Sequence, residues 1–249
     1  MAIYRLELNK KLLLEVPEDE RNLFFAIAHL QNEIGFSINS VAWSKFVGLE
    51  DKNEMEGQIA LNFFYLKILA GKLHEGWQLL NKYLFSNKEL SLYFNEKSKQ
   101  DGVESLKRLK KYFSKANAVS NIRNELSFHY NPTELSKHLD AMKDNLSLYL
   151  SDENLSNTIY YFAEALSSWA ALSKFSNSQN KNPLKIIVEE LIEVAGDFSI
   201  FNMNFMKVII NKYNPDIWKD VGKEIKITGL RHFKDIRIPA FVDTSKGYI

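Results

Sequence analysis

The chain has 249 residues, of which 45% are apolar and 25% charged, with only five prolines, a balance that excludes extensive disorder. Seventeen Phe, eleven Tyr and four Trp supply bulk for one sizeable core. A formal charge of +1 excludes a global attraction to nucleic acid or acidic membranes, so any RNA affinity must come from local charge segregation, and the absence of cysteine excludes disulfides, thiolate metal sites and cysteine nucleophiles.

No apolar run approaches the roughly 20 residues that span a bilayer. The opening Met1-Ala2-Ile3-Tyr4-Arg5-Leu6-Glu7-Leu8 carries charge too early for a signal peptide. The expectation is a cytoplasmic protein without a membrane partner.

In chain order, 2–8 and 12–16 flank Asn9-Lys10-Lys11 and read as a short hairpin or an irregular entry into the first helix, with weak β structure favoured. Pro17 followed by Glu18, Asp19 and Glu20 predicts a helix start, because proline fits the first turn and the acids complement the positive helix end. Leu23, Phe24, Ile27, Leu30 and Ile34 continue it at helical spacing.

Residues 54–84 form the strongest helical stripe, with Ile59, Phe63, Leu66, Leu69, Leu73, Trp77, Leu80 and Leu84 at steps of three or four. Gly71 and Gly76 weaken it by about 1 kcal/mol each relative to alanine, which the length of the stripe outweighs. From 102 to 115, Leu106, Leu109, Tyr112 and Phe113 line one side while Lys107, Arg108, Lys110 and Lys111 cover the rest. The basic residues are candidates for RNA phosphate binding; the ordinary alternative is a solvated helix face.

A further helix is predicted over 118–130, ending before Pro132, which pushes its predecessor out of the α region. Asn131-Pro132-Thr133-Glu134 has the cap, first-turn proline and acid of a new helix start. Long helices over 158–175 and 184–213 follow, separated by a polar loop at 176–183. The end changes character: 224–228 and 235–242 are rich in β-branched residues and read as short strands or an extended tail that can pair with the N-terminal segment.

The expected fold class is therefore mainly α, a bundle of long helices with short β or extended segments at the termini. It reads as a single helical domain over 1–249, its core at about 17–215, with 1–16 and 216–249 as candidates for a small β appendage.

The segment with pointed chemistry is Ile122-Arg123-Asn124-Glu125-Leu126-Ser127-Phe128-His129-Tyr130. It joins a permanent cation to a side chain that titrates near neutrality. RNA is cut without metal when a base takes the 2′-hydroxyl proton and a cation stabilises the charge that builds on phosphorus. Six positions along an ideal helix turn two side chains about 240° apart, so spacing alone does not bring Arg123 and His129 together. A helix C-terminus favours protonated His129, which leaves open which group acts as base and which as acid. The ordinary alternative is a carboxylate partner for Arg123 and hydrogen bonds at a helix end for His129.

Arg123-Asn124, four intervening positions and His129 resemble the signature of the HEPN superfamily, and the likeness covers this motif and the order of long helices around it. The resemblance implies a helical bundle that dimerises so that two motifs face one cleft, and a metal-independent endoribonuclease of toxin, phage-defence or RNA-processing type. It implies Arg123 and His129 as catalytic residues and Asn124 as the residue that orients them. It also suggests an antitoxin or defence-system protein as partner. The competing expectation, from another class, is a noncatalytic helical scaffold that binds a protein partner or a nucleotide.

Other constellations are weaker. His29, His74, His138 and His232 are scattered, with no pair at zinc-binding helical spacing. Glu189, Glu190 and Glu193 lack a second acidic cluster with a histidine, and Gly48 and Gly57 stand outside any phosphate-binding loop. No cofactor and no metal are expected.

Overall fold

The computed structural model describes residues 3–124, 136–142, 144–152, 155–173, 183–218, 224–225, 227–229 and 231–243. The fold is mainly α, a helical bundle. Its elements are β1 (Ile3–Tyr4), α1 (Lys10–Glu15), α2 (Glu18–Trp43), α3 (Lys52–Leu79), α4 (Lys88–Lys97), α5 (Gln100–Phe113), α6 (Ala118–Ile122), α7 (Tyr161–Ser173), α8 (Pro183–Tyr213) and β2 (Glu224–Ile225). Helix α3 runs on into a π-helical turn over Leu80–Leu84. Among the described residues no helix is long and apolar enough to cross a membrane.

The chain divides into two compact units, one of Met1–Ile34, Lys72–Lys115 and Glu193–His232, the other of Gly35–Gly71, Ala116–Ile192 and Phe233–Ile249.

In the first unit the acids Glu18, Asp19 and Glu20 sit in the opening turn of α2 as expected, and Leu23, Phe24, Ile27 and Leu30 are buried along its stripe. The antiparallel pairing expected of the terminal segments is present, with Ile3 opposite Ile225 and Tyr4 opposite Glu224. The weak β structure favoured at 12–16 is corrected in favour of the other reading, a helical entry: residues 10–15 form α1. The Asn9 side chain accepts a hydrogen bond from Lys11 N at 2.9 Å and caps this turn. The helical turn sets Leu12, Leu13 and Val16 in one crevice with Phe24 and Ile209, which alternating strand geometry does not do.

Helix α4 was not expected from the sequence. It is capped by Asn87, whose side chain accepts from Leu90 N at 3.0 Å, and it buries only Leu90 and Phe94.

Gly76 and Gly102 mark close approaches within this unit. A Cβ on Gly76 would lie 2.8 Å from Leu30 Cδ2 and 3.1 Å from Phe198 Cε1, so the helix penalty at this position is offset by tight packing. On Gly102 it would lie 2.6 Å from Asn204 Cβ and would also collide with Ser98 Oγ. Asn204 is itself held, donating to Ile200 O at 2.9 Å and to Asp101 Oδ1 at 3.2 Å. Gly102→Ala is therefore expected to destabilise the protein by about 1–3 kcal/mol despite alanine's better helix propensity, read as a lower urea midpoint.

In the second unit Phe63, Leu66, Leu69, Ile122, Ala170 and Leu191 are buried. Of the two readings of 235–242, short strands or an extended tail, the chain takes the extended one. After a 3₁₀ turn at Phe233–Asp235 the chain is extended but pairs mainly with side-chain amides rather than with a strand. Gln58, only 1% exposed, donates to Ile238 O at 2.8 Å and accepts from Ala240 N at 3.1 Å. Asn157 repeats the pattern on Val242, donating to its O at 2.7 Å and accepting from its N at 2.9 Å. Each carboxamide presents one donor and one acceptor, as a neighbouring strand would. Ile238 N donates to Trp43 O at 2.9 Å, and the Phe241 ring packs edge-on to Tyr149 over Gly57, where a Cβ would collide with it.

Tyr149 donates its hydroxyl to Glu56 Oε2 at 2.7 Å. Burial, reinforced by the Glu56 carboxylate, pushes its pKa up to about 12. The unfolded phenol ionises near pH 10, so the folded state keeps a proton the unfolded chain has lost, and this contribution is complete below pH 10 and disappears as pH rises towards 12. Urea midpoints taken from pH 9 to pH 12 should fall less steeply for Tyr149→Phe than for the wild type.

Candidate active site

The sequence motif begins on α6, and its position there is fixed by two caps. Asn117 is extended (φ −149°, ψ 160°) and its side chain accepts from Ser120 N at 2.8 Å. Glu190, from α8, accepts from Ala118 N at 2.9 Å and sets a carboxylate at the positive end of the helix. Ala118, Val119 and Ile122 are buried, which roots the short helix in the second unit. The acidic residues of α8 thus serve different ends: Glu190 caps α6, while Glu189 is exposed and lies 3.7 Å from Lys185.

Beyond Ile122 the helix changes pitch, and Arg123 and Asn124 take a π-helical turn. Such turns widen the spiral and are frequent at functional sites. Arg123 N is shared between Ser120 O and Val119 O. Its side chain is half-buried, and Nη1 donates to Asn124 Oδ1 at 3.3 Å. The guanidinium thus has a hydrogen-bonding neighbour that bears on its orientation. His129, the remaining motif residue, lies outside the described residues, as do the helix end expected at 125–130 and the helix start expected at 131–134.

On the α7 side of the same unit, Lys67 and Glu164 form an ion pair at 2.8 Å, with side chains 16% and 36% exposed. Lys67 shares a small crevice with Ile122, Ser167 and Ser168. Neither Lys67 nor Glu164 was singled out in the sequence, because nothing in their spacing relates one to the other.

The basic residues of α5 belong to the first unit, and the helix forms as expected, with Leu106 and Leu109 buried. Its cations differ in use. Arg108 donates from Nε and Nη2 to Asp197 Oδ1 at 2.8 and 2.6 Å, and this hydrogen-bonded pair holds the guanidinium pKa above its ordinary value. Lys107 bonds Glu104 at 2.9 Å one turn back, lowering the pKa of that carboxyl. Lys110 Nζ lies 4.3 Å from the centre of the Phe85 ring, a cation–π contact. Lys111 is exposed. Asp197, which ties Arg108 down, carries no sequence signal that distinguishes it from any other acid on a long helix.

Among the described residues no group of three or more His, Cys, Asp or Glu side chains is placed to hold a metal ion. His29 lies 3.6 Å from Glu33 on the exposed side of α2, and His74 Nε2 is within 3.4 Å of Gln78. No protein-family model matches the chain, and no curated protein or solved structure matches it either.

Proposed function

We propose that this chain is a metal-independent endoribonuclease of the HEPN type, working as a cytoplasmic homodimer on single-stranded or loop RNA. The observation that carries the reading is the arrangement at the end of α6: Arg123 held half-buried on a doubly capped helix, in a π-helical turn, with Asn124 Oδ1 at 3.3 Å from its guanidinium. Arg123 would stabilise the negative charge that accumulates on phosphorus, and Asn124 would orient it. His129 would move the proton, either from the attacking 2′-hydroxyl or to the departing 5′-oxygen. The 2′-oxygen bonds to phosphorus as the phosphorus–5′-oxygen bond breaks, leaving a 2′,3′-cyclic phosphate and a 5′-hydroxyl, with no redox partner and no metal required.

Such an activity is hazardous to the cell that makes it, which supports a toxin or defence role restrained by a protein partner. The reading is tested by incubating purified protein with mixed total RNA in the presence of chelator. Fragments ending in cyclic phosphate are the expected product; intact RNA counts against the proposal.

A second reading, a noncatalytic helical scaffold that binds a protein partner or a nucleotide, draws on α5. Arg108 there is committed to Asp197 and Lys107 to Glu104, so these cations serve the packing of their own unit before any phosphate. A folded protein that cleaves no RNA favours it.

A further inference from the structure

The second unit contains a cavity of about 480 Å³ between the C-terminal half of α2, the first half of α3 and the start of α8. Ligand sites of small molecules fall in this size range and combine apolar walls with a few fixed polar groups. The cavity has that composition. Its deep side is closed by Leu69, Val41 and Asn62, at 0%, 8% and 5% exposure, and its outer edge carries Val47 and Ile192, at 75% and 49%. Val188 and Ile38 complete the apolar lining.

Asn62 is the unusual member. Its Nδ2 donates to Val41 O at 2.9 Å and to Ser44 Oγ at 3.0 Å, so both amide protons are spent. The Ser44 hydroxyl in turn donates to Val41 O at 3.1 Å. Because a backbone carbonyl only accepts, these bonds fix which side of the carboxamide is nitrogen. Its oxygen is left over, and among the described residues none donates to Asn62 Oδ1. Asn62 lines the cavity, so this oxygen is an acceptor that a donor group on an occupant can use.

We infer that this cavity is a binding site for a small, largely apolar molecule carrying one hydroxyl or N–H group, which donates to Asn62 Oδ1 while its apolar body fills the space between Val41, Leu69 and Val188. The site is independent of the RNA chemistry proposed above.

The test uses two probes of nearly the same shape, 2-naphthol, which carries a donor, and 2-methoxynaphthalene, which does not, titrated into the full chain by calorimetry. The wild type should bind 2-naphthol about 3- to 10-fold more tightly, the ratio expected of one buried neutral hydrogen bond. Asn62→Leu should lose that preference. Because this substitution also removes the bonds to Val41 and Ser44 and can weaken folding, Val188→Trp provides a second variant, which fills the cavity from its wall and should abolish binding of both probes. Equal binding of the two probes by the wild type, no binding of either up to their solubility, or undiminished binding by folded Val188→Trp would each overturn the assignment.

Discussion

Arg123→Ala should reduce RNA cleavage about 10²- to 10³-fold, the loss typical when a group that stabilises developing charge is removed. The protein should remain folded, because the anchoring of α6 rests on the buried Ala118, Val119 and Ile122 and on the caps from Asn117 and Glu190, none of which involves the guanidinium. Far-ultraviolet circular dichroism and urea midpoints within about 0.5–1 kcal/mol of the wild type would establish that. Arg123→Lys should recover only part of the rate, since an ammonium keeps the charge but not the planar fork that grips two phosphate oxygens. Asn124→Ala removes only the 3.3 Å brace and should cost less than Arg123→Ala. His129→Ala should match or exceed the arginine loss if it transfers a proton. Single-turnover cleavage separates these effects from RNA binding. An intact, fully active His129→Ala protein would end the catalytic assignment.

Periodicity made the long helices legible. Every residue of the 54–84 stripe from Leu66 to Leu73 is fully or almost fully buried, and α3 with its π-helical extension covers the expected span within two residues. Periodicity failed where elements are short or partnered by side chains. Helix α1 reads as a strand because six residues are too few to show a period, and what decides it is the Asn9 cap and the crevice beneath Leu12 and Leu13. Helix α4 buries two side chains in ten residues, too sparse a stripe to stand out. The extended segment at 235–242 has strand-like residues, but its partners are the carboxamides of Gln58 and Asn157, about 180 and 85 positions away in sequence. The same limit governs the sites: Arg123 and Asn124 are legible because they are adjacent, whereas Asp197 beneath Arg108, Glu164 beside Lys67 and the acceptor on Asn62 depend on long-range packing that no local pattern encodes.

Phe94→Ala should be the most damaging single truncation in the first unit, at about 3–5 kcal/mol. Phe94 is fully buried, with the Phe201 ring edge-on at 5.1 Å between centroids and Phe205 at 6.1 Å, both of them also at 0% exposure. Aromatic edge-to-face pairs add roughly 0.5–1.5 kcal/mol beyond burial, and three rings enclosed on all sides leave little room to collapse into the space vacated. Position in the chain sharpens the effect. Helix α4 has ten residues, too short to persist alone in water, and only Leu90 would remain as a buried anchor. Hydrogen exchange should therefore rise first at the amides of 88–97 and the unfolding temperature should fall by roughly 2–4 °C per kcal/mol, given a chain of this length. Phe94→Leu, which keeps most of the volume and loses the ring contacts, should cost less than half as much. A loss below about 1 kcal/mol for the alanine variant would mean that the α4 contact with Phe201 and Phe205 does not hold this unit together.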